Sequence, residues 1–176
     1  MLLRSAVAFL CIVGAMAAEP LAIGGSAPAL AVTALDGTAN SVATLRGGGP
    51  LLLMSWCSSC HSCRRAEKPF DAMVERYRGR VPAYALAANP AETPALVTAR
   101  QQASELSFPV VLDRGGAAAD ALGITCTTTA VILDAAGMLA YRGPLSDPAT
   151  VAALDAVIAG KQPAVAEVEQ SGCPLR

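Results

Sequence analysis

Leu51-Leu52-Leu53-Met54-Ser55-Trp56-Cys57-Ser58-Ser59-Cys60-His61-Ser62-Cys63-Arg64-Arg65-Ala66-Glu67-Lys68-Pro69 is the stretch on which the fold turns. Its first residues form an apolar run that reads as a buried strand. Three cysteines follow at spacings of three. From about His61 to Tyr77 an amphipathic segment reads as a helix. Ala66, Phe70, Met73, Val74 and Tyr77 share one face, and Arg64, Arg65, Lys68, Asp71, Glu75 and Arg76 fall mostly outside it. Pro69 is expected to kink this helix, and Gly79 ends it. Two cysteines at i, i+3 where a strand passes into a helix have the layout of a dithiol redox site. The helix amides and dipole favour a thiolate at the first, and the second lies one turn on, within reach of a disulfide. Here two pairs overlap, Cys57–Cys60 and Cys60–Cys63. They share Cys60, so only one can be oxidised at a time.

Working outward, Gly24-Gly25-Ser26-Ala27-Pro28 reads as a loop and Ala29 to Leu35 as a short strand. Asp36-Gly37 is a tight turn, and Ser41 to Leu45 reads as the strand returning from it. Gly47-Gly48-Gly49-Pro50 breaks the chain before the apolar run. Downstream, Val81 to Ala88 reads as a second core strand and Asn89-Pro90 as a turn. Thr93 to Leu106 reads as a helix, Phe108 to Asp113 as a short strand, and Ala117 to Leu122 as a short helix stopped at Gly123. Thr127 to Leu133 is β-branched and apolar, a strand. Asp134-Ala135-Ala136-Gly137 turns it into a hairpin with Met138 to Arg142. Asp147 as N-cap and Pro148 at the first helical position open a last helix that runs to Ile158. Crossover units imply parallel strands, and the hairpin adds an antiparallel edge. The expectation is an α/β fold of one domain over residues 24–160, a mixed central sheet with helices on both faces. A tail, 161–176, shows no helical or strand period and carries Cys173.

At 176 residues the chain is long enough for a substantial core. A net charge of −1 with 15% charged residues excludes the basic surface a nucleic-acid binder needs. Residues 1–18 read as a signal peptide: Arg4 gives a positive start, Ala6 to Gly14 is apolar, and Ala15-Met16-Ala17 is a small-x-small cleavage site. That run is too short for a membrane span, and no other stretch qualifies. Cys11 is expected to leave with the signal. The mature protein is then expected to be soluble and exported, in a bacterium to the periplasm, where disulfides persist. Cys57, Cys60, Cys63, Cys126 and Cys173 remain. Their number is odd, so at least one is free, bound elsewhere or shared between alternative pairs.

In this order the motifs resemble the thioredoxin fold, specifically the redoxin (AhpC/TSA-like) and TlpA/ResA-like exported branch. Gly25-Ser26-Ala27-Pro28 with Leu35-Asp36-Gly37 and Leu45-Arg46-Gly47 resembles that branch's lead-in and N-terminal hairpin. Ser55-Trp56-Cys57 resembles its tryptophan-cysteine approach to the active site. Cys63-Arg64-Arg65-Ala66-Glu67-Lys68-Pro69 resembles its Cys-Arg-x-Glu-x-Pro helix start with one residue extra. Ala130 to Gly137 with Tyr141-Arg142-Gly143 resembles its final hairpin, and Gly172-Cys173-Pro174 is similar to the tail of some secreted redoxins. The resemblance implies a thioredoxin-like three-layer sandwich with an N-terminal β-hairpin extension. Where the family carries a cis-proline beside the dithiol, this chain has Thr128, for which trans geometry is expected. Cys126 then lies beside the site. Pro50 and Cys57 keep the peroxiredoxin spacing Pro-x-x-x-Thr-x-x-Cys, but Met54 replaces the threonine that would polarise peroxide, which weakens a peroxidase reading.

Trp56 beside Cys57 favours Cys57 as the exposed attacking thiol with Cys60 as resolver, while the distance to Glu67 and Pro69 favours Cys60–Cys63. Cys63 then serves as second resolver. A permanent i, i+3 staple would close a tiny loop and add little. His61 reads either as a charge near the thiolate or as a solvated helix-start residue. Glu67 reads as a proton relay or a surface carboxylate, and Trp56 chiefly as a packing wall. Cys126 and Cys173 have three readings: a structural disulfide, exchange of Cys126 with the dithiol, or Cys173 as a remote resolver on a mobile tail. A rival class is metal handling, with Cys57, Cys60, Cys63, Cys126 and His61 as soft ligands for Cu(I) or a closed Zn²⁺ site. The expected function is an exported thiol–disulfide oxidoreductase without an organic cofactor. Its partners are client proteins carrying disulfides or thiols and a separate redox partner.

Overall fold

The structure, a computed structural model, describes residues 19–175, so the signal peptide expected at 1–18 lies outside the described residues. The apolar run forms strand β3 (Leu51–Trp56) at the heart of the sheet. It pairs parallel with β4 (Ala83–Ala87) and antiparallel with β6 (Thr129–Leu133). Beyond β4 lie β5 (Val110–Leu112), parallel, then β1 (Ala31–Ala34) and β2 (Ala39–Ser41), the N-terminal hairpin. The hairpin partner of β6, β7 (Leu139–Pro144), closes the other edge, giving the order β2-β1-β5-β4-β3-β6-β7. This is the expected mixed sheet and thioredoxin-like sandwich.

Every residue of β3 is buried because both faces of the sheet are covered, which is why its sequence runs apolar without alternation. Leu52, Met54 and Trp56 face α2 (His61–Arg76), α3 (Pro94–Ala103) and α5 (Pro148–Ile158), packing with Phe70, Val97 and Leu154. Leu51 and Leu53 face α1 (Val42–Arg46) and α4 (Ala117–Ala121) through Val42, Leu45 and Leu122. Asp147 caps α5 as expected: its carboxylate accepts from Ala149 N at 2.8 Å, with Pro148 next in the chain.

One expected element differs. The segment Ser41 to Leu45 is not a strand beyond its first residue. Ser41 ends β2 and caps α1, its Oγ accepting from Thr44 N at 3.1 Å, and Gly47 ends the helix in the left-handed region. Val42 and Leu45, three apart, bury one side of a single helical turn, and a strand cannot place both on one face.

The segment after α5 has no period, yet it is packed. Arg142 N donates to Ala166 O and Val168 N to Arg142 O, each at 3.0 Å, so 166–168 runs along the edge of β7. Further on, Thr127 N donates to Cys173 O (2.8 Å) and Leu175 N to Thr125 O (3.1 Å). Leu175 is buried among the residues under α1 and α4. The result is a strap that returns to the end of β3 where the cysteines begin.

Ser55 joins that end of β3 to the loop before β6. Its Oγ donates to Cys126 O at 2.6 Å and accepts from Thr129 N at 3.0 Å, and its backbone O accepts from Thr128 N at 2.7 Å. Ser55→Ala leaves the buried Thr129 N–H without its acceptor, while Cys126 O keeps the Thr129 hydroxyl at 2.9 Å, and is expected to cost about 1–3 kcal/mol in urea unfolding of the reduced protein. An unchanged midpoint would contradict this role for the hydroxyl.

Candidate dithiol site

After Trp56 the chain makes a turn, Cys60 N donating to Cys57 O at 3.2 Å, and α2 starts at His61. Cys60 is therefore the N-cap, with extended backbone (φ −76°, ψ 129°), and Cys63 sits in the first turn. The helix starts at His61 as expected, but Cys57, expected as the exposed attacking thiol, is buried. Cys57 lies in the turn, three residues ahead of the amides whose partial charge acts on a sulfur.

The three sulfurs have distinct surroundings. Cys60 is half-buried. Burial pushes its thiol up, but Thr127 Oγ1, at 3.4 Å, opposes this, together with the N–H groups of Cys63 and Ser62 and the Cys173 thiol; the balance lowers it to about 7. Cys57 is buried, and burial raises its thiol. Ser59 Oγ, 3.3 Å away, opposes the rise, and the carboxylate of Glu92 adds to it. Cys63 has no exposed surface, and burial drives its thiol far up, although its sulfur accepts from Cys57 N at 3.3 Å. All five described cysteines are free thiols, so no structural Cys126–Cys173 disulfide is present.

The other expected residues fall as follows. Trp56 is wholly buried, edge-on to Phe108 at 6.0 Å, a packing wall. Glu67 is not a surface carboxylate. It is 2% exposed, accepts from Trp56 Nε1 at 3.2 Å, and holds Arg100 of α3 in a two-point ion pair through Nε at 3.0 Å and Nη2. The pair lies one turn inward from Cys63, and Glu67 raises the pKa of Arg100. His61, Arg64 and Arg65 are exposed on the first turn. Among the described residues no group of three or more His, Cys, Asp or Glu side chains is arranged to hold a metal ion, so the suggested set of Cys57, Cys60, Cys63, Cys126 and His61 is not gathered.

Thr128 has trans peptide geometry and a left-handed backbone, φ 64°. For a β-branched residue that is strained by about 1–3 kcal/mol. Hydrogen bonds over-determine it: Thr128 N donates to Ser55 O, Leu145 N to Thr128 O at 2.8 Å, and Thr128 Oγ1 to Ser171 O at 3.2 Å. The kink turns its neighbour Thr127 inward, so that Thr127, not Thr128, meets the Cys60 sulfur. Between the first turns of α2, Thr128, Leu145 and the strap runs an open groove of about 430 Å³.

Three participants were not foreseen. Thr127 was hidden in a run of three threonines. Arg100 is one arginine on a helix whose sequence shows no charged face. Glu92 sits in a proline-flanked loop, where Oε1 accepts from Ser58 N (2.8 Å) and Ser58 Oγ (2.9 Å) and fixes the turn after Cys57.

A strand-to-helix dithiol on this sheet defines a thioredoxin-like redox protein. The sequence profile of the AhpC/TSA family matches residues 23–142, and the chain belongs to that family. No curated protein matches it. Among solved structures it is similar to a hypothetical protein of Sinorhizobium meliloti 1021, at 23% identity and TM-score 0.78, covering 89% of this chain and 95% of that one. It is similar to an uncharacterized conserved protein from Geobacillus kaustophilus, at 22% identity and TM-score 0.79, covering 89% and 92%. It is also similar to the thioredoxin domain of a thiol-disulfide oxidoreductase from Bacteroides vulgatus, at 21% identity and TM-score 0.55, covering 68% and 86%.

Thr127→Val removes the hydroxyl shared with Cys60. The midpoint for iodoacetamide labelling of Cys60 is expected to rise by about one pH unit, the loss of one hydrogen bond to a charged sulfur. A midpoint unmoved by the substitution would exclude that contact as a cause of the low pKa.

Proposed function

We propose that the protein is an exported thiol–disulfide oxidoreductase in which Cys60 exchanges with client disulfides and Cys63 is its inner partner. One observation carries this reading: Cys60 is the half-exposed N-cap of α2 with its thiol lowered to about 7, while both neighbouring cysteines are buried with raised thiols. Near neutral pH it supplies thiolate, the attacking form. The Cys60 thiolate attacks one sulfur of a client disulfide. That S–S bond breaks, and the client's other sulfur leaves as thiolate and takes a proton from water. Attack by a second protein thiol on Cys60 Sγ then frees the client's first sulfur. The client gains two electrons, and the protein keeps a disulfide that a separate thiol donor must reduce.

The peroxiredoxin alternative is not favoured. The spacing from Pro50 points to Cys57, whose thiol is buried and held protonated, and Met54 is enclosed in β3. Export rests on the sequence of residues 1–18. Among the described residues no helix is long and apolar enough to cross a membrane.

Insulin reduction with dithiothreitol as donor tests the assignment. Cys60→Ser is expected to lower turnover at least about a hundredfold, and Cys57→Ser to leave it within about threefold, since exchange follows the available thiolate. The reverse ranking would return the attacking role to Cys57.

A further inference from the structure

The strap does more than cover the sheet edge. It sets a fourth cysteine against the dithiol. Cys173 is held from both sides of its backbone: its O accepts from Thr127 N at 2.8 Å, and its N donates to Thr127 Oγ1 at 3.1 Å. The same Thr127 Oγ1 lies 3.4 Å from Cys60 Sγ. The Cys173 sulfur lies 3.4 Å from Ser62 Oγ, in the first turn of α2 between Cys60 and Cys63. Just upstream, Gly172 passes so close that a Cβ would stand 2.1 Å from Thr127 O. Only glycine permits this approach, at φ 153°. Just downstream, Leu175 is anchored in the core. A sulfur fixed between a required glycine and a buried leucine is preorganised, and a loose end would not be.

We propose that Cys173 is an exchanging thiol of this centre, attacking Cys60 from the strap side to form a Cys60–Cys173 disulfide. The proposal rests on Cys60 being the thiol that engages the client. In the mixed disulfide between Cys60 and a client, the Cys173 thiol gives its proton to water and its sulfur attacks Cys60 Sγ. The bond from Cys60 to the client sulfur breaks, and that sulfur leaves as thiolate and is protonated. Two electrons have passed from the Cys60 and Cys173 thiols to the client disulfide. Cys63 can then displace Cys173 by the same step and store the bond as Cys60–Cys63. Chemistry favours this order. Cys63 is fully enclosed, whereas Cys173 is half-buried, with its sulfur against Ser62 Oγ and its N–H on the Thr127 hydroxyl that meets Cys60 Sγ.

The test follows single-turnover release of a fluorescent peptide disulfide from the mature chain, with products mapped by non-reducing peptide mass spectrometry. Cys63→Ser is expected to release the peptide and to contain a Cys60–Cys173 link. Cys63→Ser with Cys173→Ser is expected to hold the peptide on Cys60, with release slowed at least about tenfold. Cys63→Ser with Cys173→Ala repeats the comparison in case serine alters the strap. If release from Cys63→Ser is equally slow with or without Cys173, and no Cys60–Cys173 link forms, the proposal is overturned while the role of Cys60 stands. If Cys60→Ser captures and releases peptide at the rate of the unaltered chain, both readings fail together.

Discussion

The site depends on the shell around one sulfur: the Thr127 hydroxyl 3.4 Å from Cys60 Sγ, with the N–H groups at the start of α2 adding to it. An isolated N–H dipole would do little for a thiol in water. Here the opposing effect of burial is present but incomplete, because Cys60 is only half-enclosed and a threonine hydroxyl completes its shell. Three residues earlier and three later the balance reverses, since the sulfurs of Cys57 and Cys63 are enclosed and burial outweighs their hydrogen bonds. Three cysteines at equal spacing thus become one thiol of lowered pKa between two enclosed ones.

The rest of the fold can be understood as what keeps that geometry in place. The central strand β3 ends at Trp56, and the Glu67–Arg100 pair locks the tryptophan ring and the inner face of α2 to α3. Ser55 fastens the loop that presents Thr127, and Glu92 fixes the turn through Ser58. Arg142 binds three segments to one guanidinium: it donates to Leu21 O and Leu122 O and pairs with Glu167 on the strap. Leu21 and the strap, near the two limits of the described residues, are therefore secured to the sheet that carries the site. A cis-proline is absent from the position beside the dithiol, and the strained Thr128 with the returning strap occupies that region instead.

The sheet was legible wherever burial dictates pattern. The unbroken apolar β3, the hairpin around Asp134 to Gly137 and the Asp147-Pro148 helix start all follow from local rules, because each encodes its own geometry in adjacent residues. The choice among the three cysteines was not legible from spacing alone, since the turn Cys57 to Cys60 could precede a helix beginning at either. The offset to Glu67 and Pro69 favoured Cys60–Cys63 as the pair, and in the structure Glu67 and Cys63, one turn apart, are both buried residues of α2. The strap escaped periodic analysis because it pairs through isolated bridges at Glu167 and Pro174 rather than through a strand. Lone partners such as Arg100 and Glu92 carry no sequence signal, because what makes them matter is a residue far away in the chain.

The most direct test of the central claim is thiolate absorbance at 240 nm against pH, for the reduced protein and for Cys60→Ser. This account predicts a transition with a midpoint of about 7 in the parent chain that disappears in Cys60→Ser. A transition that survives in Cys60→Ser, or a parent chain with no thiolate forming below pH of about 8.5, the ordinary cysteine value, would contradict it.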